Sequence, residues 1–256
     1  MRVGGVNQLI SDNQFLRIIS DPVATGDNHA DIIQTFVGSR PFPGWGVVFE
    51  RNYIKDCGSQ LGNLENDATN SIISDWTFRN NVFINSRIQL NIYIPGVKIY
   101  NNTVYGVNNQ TSNGFRFAYS TNKGAGNDGQ VFNNIFVTNQ GFYSFSSYLT
   151  GTAADYNLLV NLDGSAKAAP NEGPHGINGG IQPESIFLDL ANGDFRLKPG
   201  SRAIDAGADL SLMGFNTDKL GVFRPQDGDS DGSAAWDIGA YEYVSTEGDL
   251  SGDGVV

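Results

Sequence analysis

The amino-acid sequence predicts an all-β protein whose short strands stack as the coils of a parallel β-helix. Its 256 residues include 32 Gly and 16 Phe but only 2 Met, which indicates many tight turns around a narrow aromatic and aliphatic core. No window shows a helical hydrophobic period longer than two turns. The observation that decides the architecture is an internal repeat.

The repeat is an apolar residue, two further positions, an Asn, one position and a second apolar residue. Its Asn are separated by 39, 29, 21, 32 and 23 residues. The shorter intervals fit one turn of a β-helix, and the longer ones leave room for loops, so we expect about six or seven coils. The six repeat residues are Asn13, Asn52, Asn81, Asn102, Asn134 and Asn157.

Asn suits a sharp turn between two strands because it tolerates the left-handed backbone conformation better than most residues. Stacked Asn side chains can also bond to each other and to the turns of adjacent coils. A β-sandwich with Asn in its hairpins is the alternative, but hairpins favour Asn-Gly. None of the six Asn is followed by Gly, which favours the β-helix.

The apolar positions of the repeat are expected to stack into two columns, because one coil cannot bury its apolar face alone. The first column is Phe15, Ile54, Phe83, Val104, Phe136 and Leu159, and the second is Ile10, Phe49, Phe78, Ile99 and Val131.

Over residues 5–165 this pattern resembles the right-handed parallel β-helix proteins of the pectate-lyase-like superfamily. The resemblance implies right-handed coils and a polymer-binding groove along one outward sheet, but it says little about activity. Residues 166–244 resemble the terminal segment that follows many bacterial extracellular β-helices. We expect it to cap the last coil, whose open strand edges would otherwise template aggregation. The predicted division is therefore a β-helix (1–165), a cap (166–244) and a linker with a further motif (245–256).

The net charge of −11 excludes nucleic acid and disfavours an anionic membrane, because few cations are available to neutralise phosphates. No stretch is long and apolar enough to span a membrane.

Met1–Gly5 is not a signal peptide, so we expect a removed export signal or an excised piece of a secreted or cell-surface protein. The first strand begins abruptly, which favours excision. The lone Cys57 is expected to be a buried packing residue, and the protein to be a monomer.

Two acidic segments suggest calcium chemistry. Asp227, Asp229 and Asp231 alternate as in a Ca²⁺ loop, with Asp237 further on, and a solvated turn is the alternative. Residues 248–256 resemble the start of a type I dockerin but stop before its later ligands. The resemblance implies attachment of the parent protein to a cohesin-like or cell-surface partner.

One outward sheet is expected to carry function, with strands within residues 31–37, 60–65, 88–94, 115–119 and 142–146. Alternation there predicts inward Ile88, Leu90 and Ile92, and outward polar residues suited to a polysaccharide. An ordinary wet sheet face is the alternative. The candidate substrate-binding residues are Gln34, Gln60, Asn63, Gln89, Asn91, Arg116 and Tyr143, with Trp45 as a further stacking aromatic.

The candidate catalytic residues are His29, Asp31 and Glu65. An Asp that orients a His is a usual general-base arrangement, and two carboxylates could serve glycoside hydrolysis. A structural role for His29 is an equal alternative. Lys and Arg side chains that could neutralise a uronate for a lyase are present, but none lies in a known lyase motif. Two readings therefore stay open: a polysaccharide-degrading enzyme of lyase or hydrolase type, or a non-catalytic adhesive or structural module.

Overall fold

The computed structural model describes residues 3, 5–19, 31–35, 44–66, 73–106 and 114–245. These residues form strands, turns and loops, with three short 3₁₀ helices at Pro183–Ser185, Leu190–Asn192 and Ser211–Met213. None of the helices in this described part has the length or apolarity to cross a bilayer.

Most strands belong to three parallel sheets. Along the chain, a strand of sheet 1 is followed by a strand of sheet 2 and then a strand of sheet 3, and we call each such round a pass. Sheet 1 consists of Leu9–Ser11, Val48–Glu50, Thr77–Arg79, Lys98–Tyr100, Gln130–Phe132 and Ala153–Asp155. Sheet 2 consists of Gln14–Leu16, Tyr53–Lys55, Val82–Ile84, Thr103–Tyr105, Ile135–Val137, Leu158–Val160 and Ile177–Asn178. Sheet 3 consists of Ile33–Gln34, Gly62–Leu64, Leu90–Ile92, Phe115–Phe117 and Tyr143–Phe145.

Three two-stranded pairs complete the strands. Gly44–Trp45 pairs in parallel with Ile73–Ser74. The antiparallel pairs are Tyr119–Ser120 with Gly124–Ala125, and Phe187–Asp189 with Asp194–Leu197.

Both predicted apolar columns are confirmed by the strand registers. Phe15, Ile54 and Phe83 are direct partners in sheet 2, and the register continues through the rest of that column. Ile10, Phe49 and Phe78 are direct partners in sheet 1, and Ile99 and Val131 extend the column. Nearly all of these side chains are buried, as is Cys57. Each pass therefore contributes one stacked residue from sheet 1 and one from sheet 2 to the interior between the sheets.

The six repeat Asn form a continuous hydrogen-bonded ladder at the turn between sheets 1 and 2. Each of the first five donates its backbone N–H and its Nδ2 to Oδ1 of the next, at 2.9–3.1 Å. From Asn52 onward, the Nδ2 groups also donate to strand carbonyls of the preceding pass. The expected stacking of Asn side chains is confirmed.

The expected backbone role of the ladder Asn is wrong. None of the six has a positive φ, and the left-handed residue is the one before each of them. The ladder side chain has to point into the turn to reach the next rung, so the neighbouring residue makes the change in direction. These left-handed residues are Asp12, Arg51, Asn80, Asn101, Asn133 and Tyr156, with φ between 48° and 59°.

The C-terminal segment packs along the outer faces of sheets 1 and 2 rather than only over the last pass. Ile186, Phe187 and Ile238 bury the outward residues of sheet 2, such as Val82 and Ile135. Leu210, Phe215 and Trp236 do the same for Tyr100 on sheet 1. Each large apolar side chain buried in this way stabilises the arrangement by about 1.5–3 kcal/mol.

Three Asn of the turn dock the C-terminal segment through its backbone. Asn80 donates to Thr217 O, and Asn101 donates to the carbonyls of Asp237 and Gly239. Asn133 both donates to and accepts from the backbone of Ala208. The Asn-Asn pairs at 80–81, 101–102 and 133–134 therefore divide two tasks: the first Asn faces outward and the second forms the ladder.

Candidate functional site

Sheet 3 presents a row of polar residues on its outward face. All five strands predicted for the functional sheet are found here, in one parallel sheet. Because side chains alternate along a strand, the central position of each triplet faces outward. The outward row, one residue per pass, is Gln34, Asn63, Asn91, Arg116 and Ser144.

Side-chain amides order the first half of this outward row. Asn91 Nδ2 donates to Asn63 Oδ1 at 2.8 Å, and only 8% of Asn91 is exposed. Gln60 and Gln89 lie next to the row, where Gln60 donates to Asp31 at 2.8 Å and Gln89 accepts from Arg87 at 2.5 Å. Asn91 Oδ1 is buried without a hydrogen-bond partner in the described structure, whereas Gln34 and Asn63 in the same row are partly exposed.

The second half of the row combines a cation with exposed aromatic rings. Arg116 is exposed between buried Phe115 and Phe117, as the alternation predicts. Arg116, Tyr119 and Ser144 line a cavity of about 250 Å³. Tyr119 is 49% exposed and its ring lies 5.8 Å from that of Tyr148, which is 77% exposed. Tyr119, Ser144 and Tyr148 were not anticipated, although Tyr119 ends a predicted strand.

The candidate catalytic residues are not brought together as a pair. Asp31 accepts a hydrogen bond from Gln60 at 2.8 Å. Glu65 lies five residues after Gln60, where its backbone N–H donates to Thr35 Oγ1, so Asp31 and Glu65 lie toward opposite ends of this strand pair. Glu65 forms a 2.7 Å ion pair with Lys123, whose Nζ lies 5.5 Å from the Tyr93 ring. His29 lies outside the described residues.

Tyr143 occupies the inward row of sheet 3, so its expected place on the outward strip is wrong. It pairs with buried Phe115, because this strand begins one residue later than its apolar pattern suggests. Its hydroxyl donates to Glu172 Oε2. Burial and the nearby Glu172 carboxylate raise the Tyr143 pKa.

Glu172 ends the asparagine ladder. Asn157, the last rung, donates its backbone N–H to Oε1 and its Nδ2 to Oε2, both at 3.0 Å. A carboxylate thus replaces the amide oxygen that a further Asn would supply. Burial raises the pKa of Glu172, against the lowering effect of these donors. No repeat signal marks Glu172 in the sequence.

The second His of the chain forms a hydrogen bond with a carboxylate next to this ladder end. His175 Nδ1 lies 2.7 Å from Asp155 Oδ2, and Asp155 Oδ1 accepts the backbone N–H groups of Tyr156 and His175. The imidazole stacks on the Tyr156 ring at 4.4 Å. A Cβ at Gly173 would lie 2.5 Å from the Asp155 carboxylate, so any larger residue there would displace this carboxylate. These contacts give His175 a structural role.

The acidic loop brings together a partly different set of carboxylates from the one predicted. Among the described residues, ligand oxygens of Asp205, Asp227 and Asp229 lie within 4.8 Å of one another. Asp231 is outside this group, and its N–H donates to Asp227 and Asp229. Burial raises the Asp205 pKa. Carboxylate oxygens are the ligands Ca²⁺ prefers, but such groups also occur without an ion.

Asp237 belongs to a buried ionic cluster instead. Its carboxylate accepts the N–H groups of Asp205 and Tyr243, at 2.7 and 2.5 Å. Nearby, Arg224 donates to Glu242 at 2.6 Å, with both side chains fully buried. Burial raises the pKa of Asp237 well above its usual range and that of Glu242 to about 7, although Arg224 opposes both shifts.

Comparison with known proteins adds no assignment: no protein-family model matches the chain, and no curated protein is significantly similar to it.

Proposed function

We propose that this protein is a secreted right-handed parallel β-helix of the pectate-lyase-like kind that binds an acidic polysaccharide along the outward row of sheet 3. The observation that carries the proposal is the continuity of that row. Asn63, Asn91 and Arg116 follow one another from strand to strand, and the row reaches the cavity beside Tyr119.

The outward row offers what a sugar polymer needs. Amide groups pair with hydroxyls as donors and acceptors, and the amides of Gln34 and Asn63 in this row are partly exposed. Exposed tyrosine rings such as Tyr119 and Tyr148 present flat apolar faces with polar edges, which suit the faces of sugar rings. A linear row of such groups matches a linear polymer better than a compact ligand.

The preference for acidic sugars rests on Arg116. It is the one charged residue of the outward row, in a protein of net charge −11. Among the described residues, no ion pair involves it. A guanidinium recognises carboxylate or sulfate groups through paired N–H donors, so a uronate or sulfated unit at this position satisfies it.

Binding without cleavage is the form of the proposal that the candidate catalytic residues favour. Glu65 forms an ion pair with Lys123. Asp31 lies toward the opposite end of the strand pair from Glu65 and is hydrogen-bonded to Gln60. The hypothesis of a non-catalytic adhesive module therefore stays open beside the hypothesis of an enzyme, and a measurement of polysaccharide turnover distinguishes the two.

The test is titration calorimetry with a uronate polymer and a neutral glucan, alongside reducing-end and unsaturated-uronate assays. Arg116→Ala should weaken uronate binding about tenfold, the loss of one charge-assisted hydrogen bond. Arg202→Ala, an exposed arginine of the C-terminal segment, is the matched control and should bind like the wild type. Equal affinity for both polymers, or no effect of Arg116→Ala, would refute the acidic-sugar proposal. Cleavage of either polymer would instead support the hypothesis of a polysaccharide-degrading enzyme.

Two further parts of the proposal concern attachment and metal. The dockerin-like residues 248–256 lie outside the described residues, so a cohesin-like or cell-surface partner stays a prediction. A structural Ca²⁺ at Asp227 and Asp229, now with Asp205 as a third ligand, likewise stays a proposal. It is supported by the closeness of the three carboxylates and by the oxygen preference of the ion.

A further inference from the structure

A short hairpin extends back from the fourth strand of sheet 3 along the ends of its earlier strands. Its two strands, Tyr119–Ser120 and Gly124–Ala125, form only two residue pairs, and an isolated two-stranded hairpin is marginally stable at best. The turn residue Lys123 reaches the end of the second strand, Gly62–Leu64, where Lys123 O accepts the N–H of Asn66 at 2.8 Å. The hairpin therefore depends on contacts with the sheet for its position.

An ion pair and close backbone packing hold the hairpin in this position. Lys123 Nζ lies 2.7 Å from Glu65 Oε2 and 5.5 Å from the centre of the Tyr93 ring. The hydrogen bond to Glu65 raises the pKa of Lys123, so the ammonium group stays charged at neutral pH. Gly124, with a φ of 100°, lies so close to the sheet that a Cβ would be 2.5 Å from Tyr93 O. The hairpin is thus tied to the ends of two earlier strands.

The hairpin carries Tyr119, which belongs to the exposed tyrosine pair beside the outward row. Tyr119 is the direct partner of Ala125 in the hairpin, and its ring lies 5.8 Å from the ring of Tyr148. Tyr119 also lines the cavity that contains Arg116. The position of the hairpin therefore decides where a sugar ring that stacks on Tyr119 lies relative to the guanidinium group.

We propose that Glu65 and Lys123 are positioning residues for saccharide binding: their ion pair fixes the hairpin and so holds the Tyr119 ring in the orientation that stacks on a sugar. This role rests on the proposed function of the outward row, and it replaces the catalytic role expected for Glu65. The Lys123 side chain is 47% and the Glu65 side chain 20% exposed, and ion pairs near the surface contribute little to global stability. Loss of the pair should therefore weaken binding while the fold stays intact.

The test combines calorimetry with the uronate polymer and nuclear magnetic resonance of the free protein. Lys123→Met removes the charge but keeps an unbranched side chain. Arg196→Met is the matched control, because Arg196 forms a 2.7 Å ion pair with Asp194 in the C-terminal segment and its side chain is also 47% exposed. Lys123→Arg keeps the charge, and Tyr119→Ala tests whether Lys123 acts through that ring.

In the free protein, Lys123→Met should shift the ring signals of Tyr119 and Tyr148, whereas Arg196→Met should leave them unchanged. In calorimetry, Lys123→Met should weaken binding about fivefold, the size expected for one impaired aromatic contact. Lys123→Arg should bind like the wild type. Adding Lys123→Met to Tyr119→Ala should cause no further loss, because the effects of residues that act through one another do not add.

Unchanged ring signals or unchanged affinity in Lys123→Met would overturn the positioning role and leave the proposed function in place. Losses that add in the double variant would overturn it too, because Lys123 would then contact the polymer directly. Tighter binding by Glu65→Gln would have the same consequence, since Glu65 would then compete with the polymer for Lys123. A wild type that binds no polymer would refute the proposed function, and the positioning role with it.

Discussion

Replacing Asn102 by Ala tests how much the asparagine ladder contributes to stability. The Asn102 amide has five hydrogen-bond contacts: Oδ1 accepts from Asn81 N and Nδ2, and the two Nδ2 hydrogens are shared among Phe78 O, Tyr100 O and Asn134 Oδ1. All these partners are buried. Asn81 Nδ2 keeps its bond to Phe49 O, and Asn134 Oδ1 keeps Asn102 N. The buried group left without a partner is the Asn81 N–H, and the carbonyls of Phe78 and Tyr100 each lose one donor.

The expected loss for Asn102→Ala is about 2–4 kcal/mol, since a buried group left unsatisfied costs about 1–3 kcal/mol and each further hydrogen bond lost costs about 0.5–1.5 kcal/mol. Asn13→Ala is the matched control at the exposed end. It removes the bond to Ser11 O and one of the two bonds to Asn52 Oδ1, while Asn13 N still donates to that oxygen. Its expected cost is below about 1 kcal/mol. Urea unfolding followed by circular dichroism measures both values. Equal losses at the two positions would refute the reasoning.

Three further predictions concern the ladder end, the acidic loop and the buried ionic cluster. Glu172→Ala removes the acceptor of Asn157 N, Asn157 Nδ2 and the Tyr143 hydroxyl, and should lower the free energy of unfolding by about 3 kcal/mol; Glu184→Ala, at an exposed site, should not. If Asp205, Asp227 and Asp229 hold Ca²⁺, EDTA should lower the melting temperature of the wild type and leave Asp227→Ala unchanged, and an unchanged wild type would count against the site. Burial raises the pKa values of Asp237 and Glu242 in the folded state, so their contribution is present at low pH and lost as pH rises through the folded pKa, about 7 for Glu242. The free energy of unfolding should therefore fall by about 2–3 kcal/mol between pH 5 and pH 9, and a rise over that range in urea titrations would contradict this assignment.

The parts of the fold that could be predicted are those carried by the repeat. The spacing of Asn81 and Asn102 and of their flanking apolar residues follows from stacking, so the columns, the ladder and the strands of sheet 3 were predictable. The left-handed turn position was misplaced by one residue because both Asn of an Asn-Asn pair suit a turn. The role of Asn80 could not be predicted, because its side chain donates to Thr217 O of the distant C-terminal segment.

The parts that could not be predicted depend on contacts between distant segments. Glu172 joins the ladder from a loop without periodicity. Asp205 reaches the acidic loop from 22 residues before Asp227, and no local spacing signals that approach. Tyr143 was assigned to the wrong face because one residue of strand phase reverses every side chain. Asp31 and Glu65 were expected on neighbouring strands of one sheet, but the parallel register places them toward opposite ends of that strand pair.

The most direct test of the proposed function is a nuclear magnetic resonance titration of the full chain with a short uronate oligosaccharide. Binding along sheet 3 predicts shifts at Asn63, Asn91, Arg116 and Ser144, and at the ring of Tyr119. These shifts should weaken with added salt, because an exposed cation is screened. Shifts confined to the C-terminal segment, or a spectrum that the oligosaccharide leaves unchanged, would contradict the assignment of the outward row as the binding surface.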